Sequence, residues 1–430
     1  MPPASRPSRF WHEPLLRARR VAQTNLVLQR HLFARLAGRR RPAPELLRAL
    51  FDDLGTTYVK IGQLIASMPS VFPPEYVAAF QGCLDQTNPL PFRDMRAVLV
   101  AELGDYRAHF REIDTTPLAS ASIAQVHAAT LHDGTEVVIK IQRPNADAIL
   151  RADLSMLHTL TRLLERVVPR SRQLSLADMV DEIRGGMLEE CDFLQEAANI
   201  RSYREFLQRL GTTSVRVPEV HAPASTRRVL TMERFRGVPL TDIEAVGRYH
   251  AHPEAALSDA LNVWFASITQ CRFYHADLHS GNIMMLETGQ IGFIDFGIVG
   301  RISDRVWQAL LALSVALPQE DFPAAARALL SMGATGEHID TDALARDLEA
   351  LYRSVVEDTP PAGTASPDSS ADATLLQLGV IARRYGIRFP RAFTLLIKQF
   401  LYFDRFITLL APDMDIMRDL KLLRDQRAAF

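Results

Sequence analysis

His275-Ala276-Asp277-Leu278-His279-Ser280-Gly281-Asn282, followed by Phe293-Ile294-Asp295-Phe296-Gly297, is the stretch whose reading decides the fold. Phosphoryl transfer from ATP needs a carboxylate to orient or deprotonate the acceptor. It also needs an amide and a second carboxylate to hold the divalent metal that bridges the phosphates. Asp277 and Asn282 stand five positions apart, the interval of a kinase catalytic loop, and Asp295 follows with Phe-Gly behind it. Mg²⁺ takes oxygen ligands and keeps few protein contacts, so one Asn and one Asp suffice. Read singly, Asp277 and Asn282 are turn residues and Asp295 closes a strand. Read in this order, Asn282 and Asp295 are candidate metal ligands and Asp277 the candidate catalytic carboxylate. His279 is expected to shape the loop, hydrogen-bonding a neighbouring carboxylate rather than acting as a base.

Around this segment the apolar runs Ile283 to Leu286 and Ile291 to Ile294 flank Glu287-Thr288-Gly289-Gln290, a hairpin signature. Otherwise the chain from Thr241 onward reads as helix, with Asp358 to Asp372 as a Pro/Ser/Ala/Asp-rich loop inside it. Upstream, Ile123 to Leu131 and Glu136 to Gln142 are strand-like and enclose His132-Asp133-Gly134-Thr135, a second hairpin. Lys140 sits on its second strand, where a Lys reaches the α/β-phosphates and pairs with a Glu of the following helix. Glu196 is the best partner; Glu189, Glu190 and Asp192 are rivals on a helix expected over Leu174 to Leu210. On a straight helix Asp192 and Glu196 share a face and Glu190 points elsewhere. A third strand, Arg228 to Phe235, carries Glu233 as a further candidate nucleotide contact and ends at the turn Arg236-Gly237-Val238-Pro239. Before all of this, Val21 to Leu36 has helical spacing, and Phe51 to Phe110 reads as helices between Pro-containing turns.

These patterns predict an α+β, two-lobed protein-kinase-like fold: a small β-rich N-lobe and a larger helical C-lobe, preceded by a helical extension. The expected divisions are a basic segment over 1–45, the helical extension over 46–115, the N-lobe over 116–236 and the C-lobe over 237–430. With 430 residues, 47% hydrophobic and 23% charged, and a net charge of −1, the chain is globular and nothing in its charge calls for nucleic acid. The first fifty residues nevertheless hold eleven arginines, from Arg6 to Arg48, against Glu13 and Glu45. Such a start faces anionic lipid or is a solvated tail. Cys83, Cys191 and Cys271 are isolated and fit packing in a reducing compartment. The longest apolar candidate, Ala392 to Leu410, is interrupted by Lys398, Asp404 and Arg405, so no membrane span is expected. The expected location is the cytoplasm, with a peripheral station on the inner face of the membrane as its variant.

With these residues assembled, the chain resembles the UbiB/AarF family of atypical protein-kinase-like ATPases over about Leu54 to Arg301. Lys60-Ile61-Gly62-Gln63 resembles the KxGQ motif of that family, and Glu190-Cys191-Asp192 its ExD motif, with Glu196-Ala197-Ala198-Asn199 after it. Pro117-Leu118-Ala119-Ser120-Ala121-Ser122-Ile123-Ala124-Gln125-Val126-His127 resembles the Ala-rich nucleotide loop that replaces a Gly-rich one. Ala resists conformations that Gly allows, so this loop should be the stiffer of the two. The resemblance implies ATP or ADP with Mg²⁺ as cofactors, and nucleotide contacts from Ala119, Ser120, Ala121, Ser122, Gln63, Glu190 and Asp192. It implies that Lys60 reaches toward Glu190 and Asp192, which requires the helix to bend, for instance at Gly185-Gly186. Two departures stand out. Ser67-Met68-Pro69-Ser70 lacks the charges customary after KxGQ, and Asp413 to Phe430 is largely charged where many bacterial members carry hydrophobic helices. The function implied is an ATPase serving ubiquinone or other isoprenoid-lipid metabolism at the membrane, with an isoprenoid or quinone-precursor lipid as partner. A small-molecule phosphotransferase of aminoglycoside or choline kinase type is the alternative, since it shares the His-x-Asp-x-x-x-x-Asn loop. A nucleotide-binding scaffold without turnover ranks last.

Overall fold

The computed structural model describes residues 12–36, 38, 41–66, 72–80, 88–167, 176–333, 339–357 and 370–411. Its helices are α1 His12–Leu36, α2 Ala43–Leu54, α3 Thr56–Ala66, α4 Pro74–Phe80, α5 Phe92–Leu103, α6 Ala146–Val167, α7 Leu176–Glu190 and α8 Phe193–Leu210. Then come α9 Ile243–Tyr249, α10 Pro253–Cys271, α11 Asp304–Ala316, α12 Phe322–Gly333, α13 Thr341–Glu357, α14 Ser370–Arg384 and α15 Arg391–Leu410. The strands are β1 Phe110–Ser120, β2 Ala124–Leu131, β3 Glu136–Gln142, β4 Val215–Arg216, β5 Val229–Glu233, β6 Gly237–Pro239, β7 Phe273–His275, β8 Ile283–Leu286, β9 Ile291–Phe293 and β10 Val299–Arg301. Ser67 to Ser70, Cys83, most of the loop from Asp358, and Asp413 to Phe430 lie outside the described residues.

Two compact units result: one from 1–66, 78–195 and 220–233, the other from 67–77, 196–219 and 234–430. The first holds a four-stranded antiparallel sheet in the order β1-β2-β3-β5. Strand β3 explains itself: Val137, Ile139 and Ile141 alternate onto a face packed by Met95, Val98 and Leu99 of α5, all within one apolar core. Its turn from β2 forms as expected, with Asp133 Oδ1 accepting from the Thr135 amide at 2.8 Å and Gly134 at φ +92°. Strand β1 was not expected. Most of it is exposed and its register against β2 slips three times, so no apolar alternation announces it. Of the segment from Pro117 to His127, the part before Ile123, expected as loop alone, is therefore the end of a strand and a tight turn, and the part from Ala124 lies in the strand expected there.

The N-terminal helix is anchored from within this unit. The Arg20 guanidinium donates to both oxygens of the fully buried Asp153 on α6, at 2.6 and 2.7 Å, and to the Leu54 carbonyl of α2 at 2.6 Å. Part of the basic character of the first fifty residues is thus internal structure. The continuous helix expected over Leu174 to Leu210 is two helices. It breaks at Cys191-Asp192, where Asp192 Oδ1 accepts the Leu194 amide at 3.1 Å and so opens α8.

The second unit is mainly helical, with a small sheet in the order β4-β9-β8-β6 and a two-stranded ribbon β7-β10. The hairpin β8–β9 falls where its apolar runs place it. Residues 237–239, expected as a turn, form β6 and pair with β8, and a Cβ on Gly237 would collide with the Met285 carbonyl. Strands of three residues such as β7 and β10 are too short to leave a periodic signal. Trp264 of α10 stacks edge-on against Tyr274, Phe400 and Phe403, seating α15 on α10. The architecture is the α+β, protein-kinase-like one expected: a β-sheet unit carrying the helical extension, and a larger helical unit.

Candidate functional site

The segment from His275 to Asn282 leaves β7 and enters β8, and its loop is held by its own polar groups. His275 is fully buried. It accepts the Asp277 amide on Nδ1 (3.2 Å), so Nε2 carries the proton that it donates to the Ile294 carbonyl (3.0 Å). Burial pushes its imidazolium pKa down despite that carbonyl, which fits a neutral structural ring. His279 Nδ1 accepts the Gly281 amide at 2.9 Å, and a Cβ on Gly281 would stand 2.9 Å from the same ring. His279 thus shapes the loop through a backbone amide and not through the carboxylate hydrogen bond expected of it, since its Nε2 lies 3.9 Å from Asp277 Oδ2, beyond a hydrogen bond.

Asn282, 7% exposed, donates its Nδ2 to the Asp277 carbonyl at 2.9 Å. A carbonyl only accepts, so this bond fixes which end of the amide is nitrogen and leaves Oδ1 as the oxygen available to a metal. The Ile294 amide bonds to the Asn282 carbonyl at 2.9 Å, which brings the backbone of Asn282 beside that of Asp295. Asp295 has φ +58°, a left-handed conformation that a non-glycine residue holds at a cost, and its Oδ1 accepts the Gly297 amide at 3.2 Å. The Phe296 carbonyl takes a bond from buried Asn199 at 3.1 Å, so the residue after the strained Asp is tied down. Among the described residues no cluster of three or more His, Cys, Asp or Glu side chains suits a metal. One amide oxygen plus one carboxylate fits Mg²⁺ that arrives on nucleotide phosphates and does not fit a free-standing cage.

In the sheet unit Lys140 projects from β3, 8% exposed, with Nζ 5.4 Å from the centre of the Phe193 ring. Glu233 ends β5 opposite Val137. Glu196, 2% exposed, lies in the first turn of α8. Lys60 of α3 forms an ion pair with Glu190, both side chains about one-tenth exposed. α7 ends with Glu190, and the break at Cys191-Asp192 takes Asp192 and Glu196, not Glu190, out of its register. Asp192 turns away, pairing with Arg227 Nε at 3.2 Å. Gln142, 1% exposed, donates to the Cys191 carbonyl at 2.9 Å and fixes the break from the strand side. Gln63 is half-buried on α3, one turn from Lys60.

Ala119 and Ser120 end β1, and Ala121 and Ser122 make the turn into β2. Arg143, which the sequence did not single out, clamps it. Its Nε donates to the Ala121 carbonyl at 2.9 Å, one terminal nitrogen donates to Ser120 Oγ at 2.8 Å, and its amide bonds to the Ile123 carbonyl at 2.8 Å. Lys60, Thr57, Ser122, Ile123, Arg143 and Met187 line a cavity of about 210 Å³. The stiffness expected of an Ala-rich loop thus has a second source in one guanidinium. Arg143→Ala should cost about 1.5–3 kcal/mol of stability, as loss of hydrogen bonds from a charged group does. Hydrogen exchange at the Ala121 and Ala124 amides should rise; unchanged exchange there would show the turn to be held by its backbone alone.

A family profile described as "ABC1 atypical kinase-like domain" matches residues 82–329. A chloroplastic protein of Arabidopsis thaliana, described as an uncharacterized aarF domain-containing protein kinase, is 42% identical over 400 residues, covering 88% of this chain and 74% of its own. The chain belongs to the UbiB/AarF family. Further relatives are an uncharacterized protein of Mycobacterium tuberculosis (38% identical, 86% of this chain and 75% of that one) and a probable protein kinase UbiB of Pseudomonas aeruginosa (30%, 86% and 69%). As a UbiB/AarF protein it is kinase-like but atypical, and the Lys60–Glu190 pair joins the KxGQ-like and ExD-like segments. Missed besides Arg143 was Lys398, whose Nζ lies 3.1 Å from Asp277 Oδ1. The signal was present as a charge inside the apolar run from Ala392 to Leu410.

Proposed function

We propose that this UbiB/AarF chain is a Mg²⁺-dependent ATPase acting for isoprenoid-lipid metabolism at a membrane surface. The observation that carries the reading is the Asn282 amide. Held by the Asp277 carbonyl, it has one oxygen left to offer, beside a strained Asp295. In this reading Asn282 and Asp295 hold Mg²⁺, which neutralises charge on the phosphates when bound. Lys140, with Glu196 as its partner, pairs the α/β-phosphates, while Glu233 and the turn from Ala119 to Ser122 contact the nucleotide. Asp277 orients water or an acceptor hydroxyl. Lys60, Gln63, Glu190 and Asp192 cover the ground where a protein substrate would lie in an ordinary kinase. Aminoglycoside- and choline-type kinases have no need of a buried Lys60–Glu190 pair, and that pair favours the ATPase over the small-molecule phosphotransferase.

Lipid proximity has its own support in α1. Leu26, Leu32, Phe33 and Leu36 are each more than half exposed and share one side of the helix, with Arg19 and Arg35 also exposed. An apolar face with basic flanks lies in a headgroup layer rather than across a bilayer. Among the described residues no helix is long and apolar enough to span one. Arg20 is held by the buried Asp153 and Arg30 by Asp53 at the surface, so both guanidiniums already have carboxylate partners and contact would run through the apolar side chains more than through the arginines as a group.

Asp295→Asn should abolish the Mg²⁺-dependent thermal shift by ADP or ATP, and vesicles containing anionic lipid should raise turnover of the unaltered protein. An unchanged nucleotide shift in the variant would sink the metal assignment. Stoichiometric phosphoryl transfer to a soluble alcohol without vesicle stimulation would replace the ATPase by the phosphotransferase.

A further inference from the structure

Lys398 interrupts an apolar helix, and the interruption has a partner. Phe400 and Phe403 pack on Trp264 at ring distances of 5.9 and 4.7 Å, which fixes the rotation of α15. On the same helix Gln399, with no exposure, accepts the Leu278 amide at 2.8 Å and donates to the Leu278 carbonyl at 3.3 Å. Those two bonds hold the backbone of the loop. Lys398 adds none to the backbone. Its Nζ meets Asp277 Oδ1 at 3.1 Å and stands 5.3 Å from the centre of the Tyr402 ring, with the Lys and Asp side chains 24% and 20% exposed. The division of labour on α15 is clear: Gln399 holds the loop backbone, and Lys398 meets the loop at the Asp277 carboxylate, with Tyr402 of its own helix as its other polar partner.

We propose that Lys398 is a positioning residue for phosphoryl transfer. Its ammonium takes up one oxygen of Asp277 and leaves Oδ2 to accept the hydrogen bond of the attacking water. This rests on the reading of Asp277 given above. As the water oxygen bonds to the γ-phosphorus, the bridging oxygen leaves with its electron pair as part of ADP. The water proton passes to Oδ2 and then to solvent, so the products are ADP, inorganic phosphate and a proton. With one oxygen pinned, the carboxylate has a single orientation, and the hydrogen bond to water need not compete with rotation of the group. An ammonium at 3.1 Å from an aspartate is also the contact that an ordinary surface ion pair makes. What separates the two is burial and the presence of Gln399 next door, which leaves Lys398 free of any need to hold the chain.

The experiment compares the whole protein with Lys398→Met, Lys398→Gln and Lys398→Arg, alone and combined with Asp277→Asn, measuring kcat and KM for MgATP, the MgADP thermal shift and the melting temperature. Lys398→Met is expected to lower kcat about 10- to 100-fold, as loss of an orienting partner does. KM and the nucleotide shift should stay within about twofold, Lys398→Arg should recover most of kcat, and nothing further should be lost in the Asp277→Asn background. Lys398→Gln keeps polarity and length and gives the same reading if the Met variant fails to fold. Retention of full kcat in both the Met and Gln variants overturns the inference. So does a loss that Arg does not recover and that follows the melting temperature, or a loss that adds in full to Asp277→Asn. If the unaltered protein has no metal-dependent turnover, or Asp277→Asn leaves it intact, the reading of Asp277 has failed and the inference falls with it. Turnover lost in Asp277→Asn but kept in Lys398→Met overturns the inference alone.

Discussion

Asp277→Asn is expected to reduce Mg²⁺-dependent ATP turnover about 10²- to 10⁴-fold, the range that a positioned acid–base group supplies. Nucleotide binding should survive, because the loop bonds to residue 277 run through its amide and carbonyl: the amide donates to His275 Nδ1 and the carbonyl accepts from Asn282 Nδ2. An amide side chain keeps the shape and loses the charge. Burial alone would push the Asp277 carboxyl pKa up, but the Lys398 ammonium and His279 outweigh it and hold the group below the usual carboxylate range. A carboxylate depressed in the folded state stabilises the fold above its unfolded pKa, and that contribution is lost as pH falls through the folded value. Asp277→Asn should therefore flatten the acid side of the stability profile while it lowers turnover. Single-turnover kinetics with MgATP and a urea titration across acidic pH check both. Turnover within a factor of three of the unaltered protein would remove Asp277 from the chemistry.

What was legible in the sequence follows from what leaves a local pattern. The hairpins β2–β3 and β8–β9 were readable because apolar runs with β-branched residues bracket Asp-Gly and Thr-Gly turns, and those runs face a core. Strand β1 was not, since most of its residues face solvent and its bulges break any alternation. Residues 237–239 read as a turn because Gly and Pro usually make one; here they form an edge strand where the missing Cβ lets β8 approach. Among the candidate site residues, the Lys60–Glu190 pair followed from motif resemblance, but its geometry did not. A helical wheel turned Glu190 away from Asp192 and Glu196, and the wheel failed because the break at Cys191-Asp192 takes those two out of its register. Charge inside an apolar run was visible at Lys398, yet its partner lies 121 residues away along the chain, and no local pattern reports such a contact. Arg143 was hidden for a similar reason, its guanidinium's acceptors including the Ala121 carbonyl and the Ser120 hydroxyl of a turn 22 and 23 residues before it, which no local pattern announces.

Trp264→Ala should lower the unfolding free energy by about 3–5 kcal/mol through the cavity alone, the usual cost of removing a buried Trp side chain. The indole has no exposure and stacks on Phe265, Tyr274, Phe400 and Phe403, so few neighbours are free to collapse into the space. A second loss accompanies it. Trp264 Nε1 donates to the His275 carbonyl at 2.8 Å, and a buried acceptor left unpaired costs about 1–3 kcal/mol more. Trp264→Phe separates the two, because it fills most of the cavity and removes only the donor. Both variants should raise hydrogen exchange along β7, and in the Ala variant α15 should loosen as well, carrying Gln399 and Lys398 away from the loop. Turnover should then fall further than nucleotide affinity, since the metal-side contact from Asn282 is made within the loop while the contact to Asp277 Oδ1 comes from α15. A Trp264→Ala protein that loses less than about 1 kcal/mol, by urea titration against the tabulated cost of such deletions, would mean that α15 is not seated on α10 by this cluster.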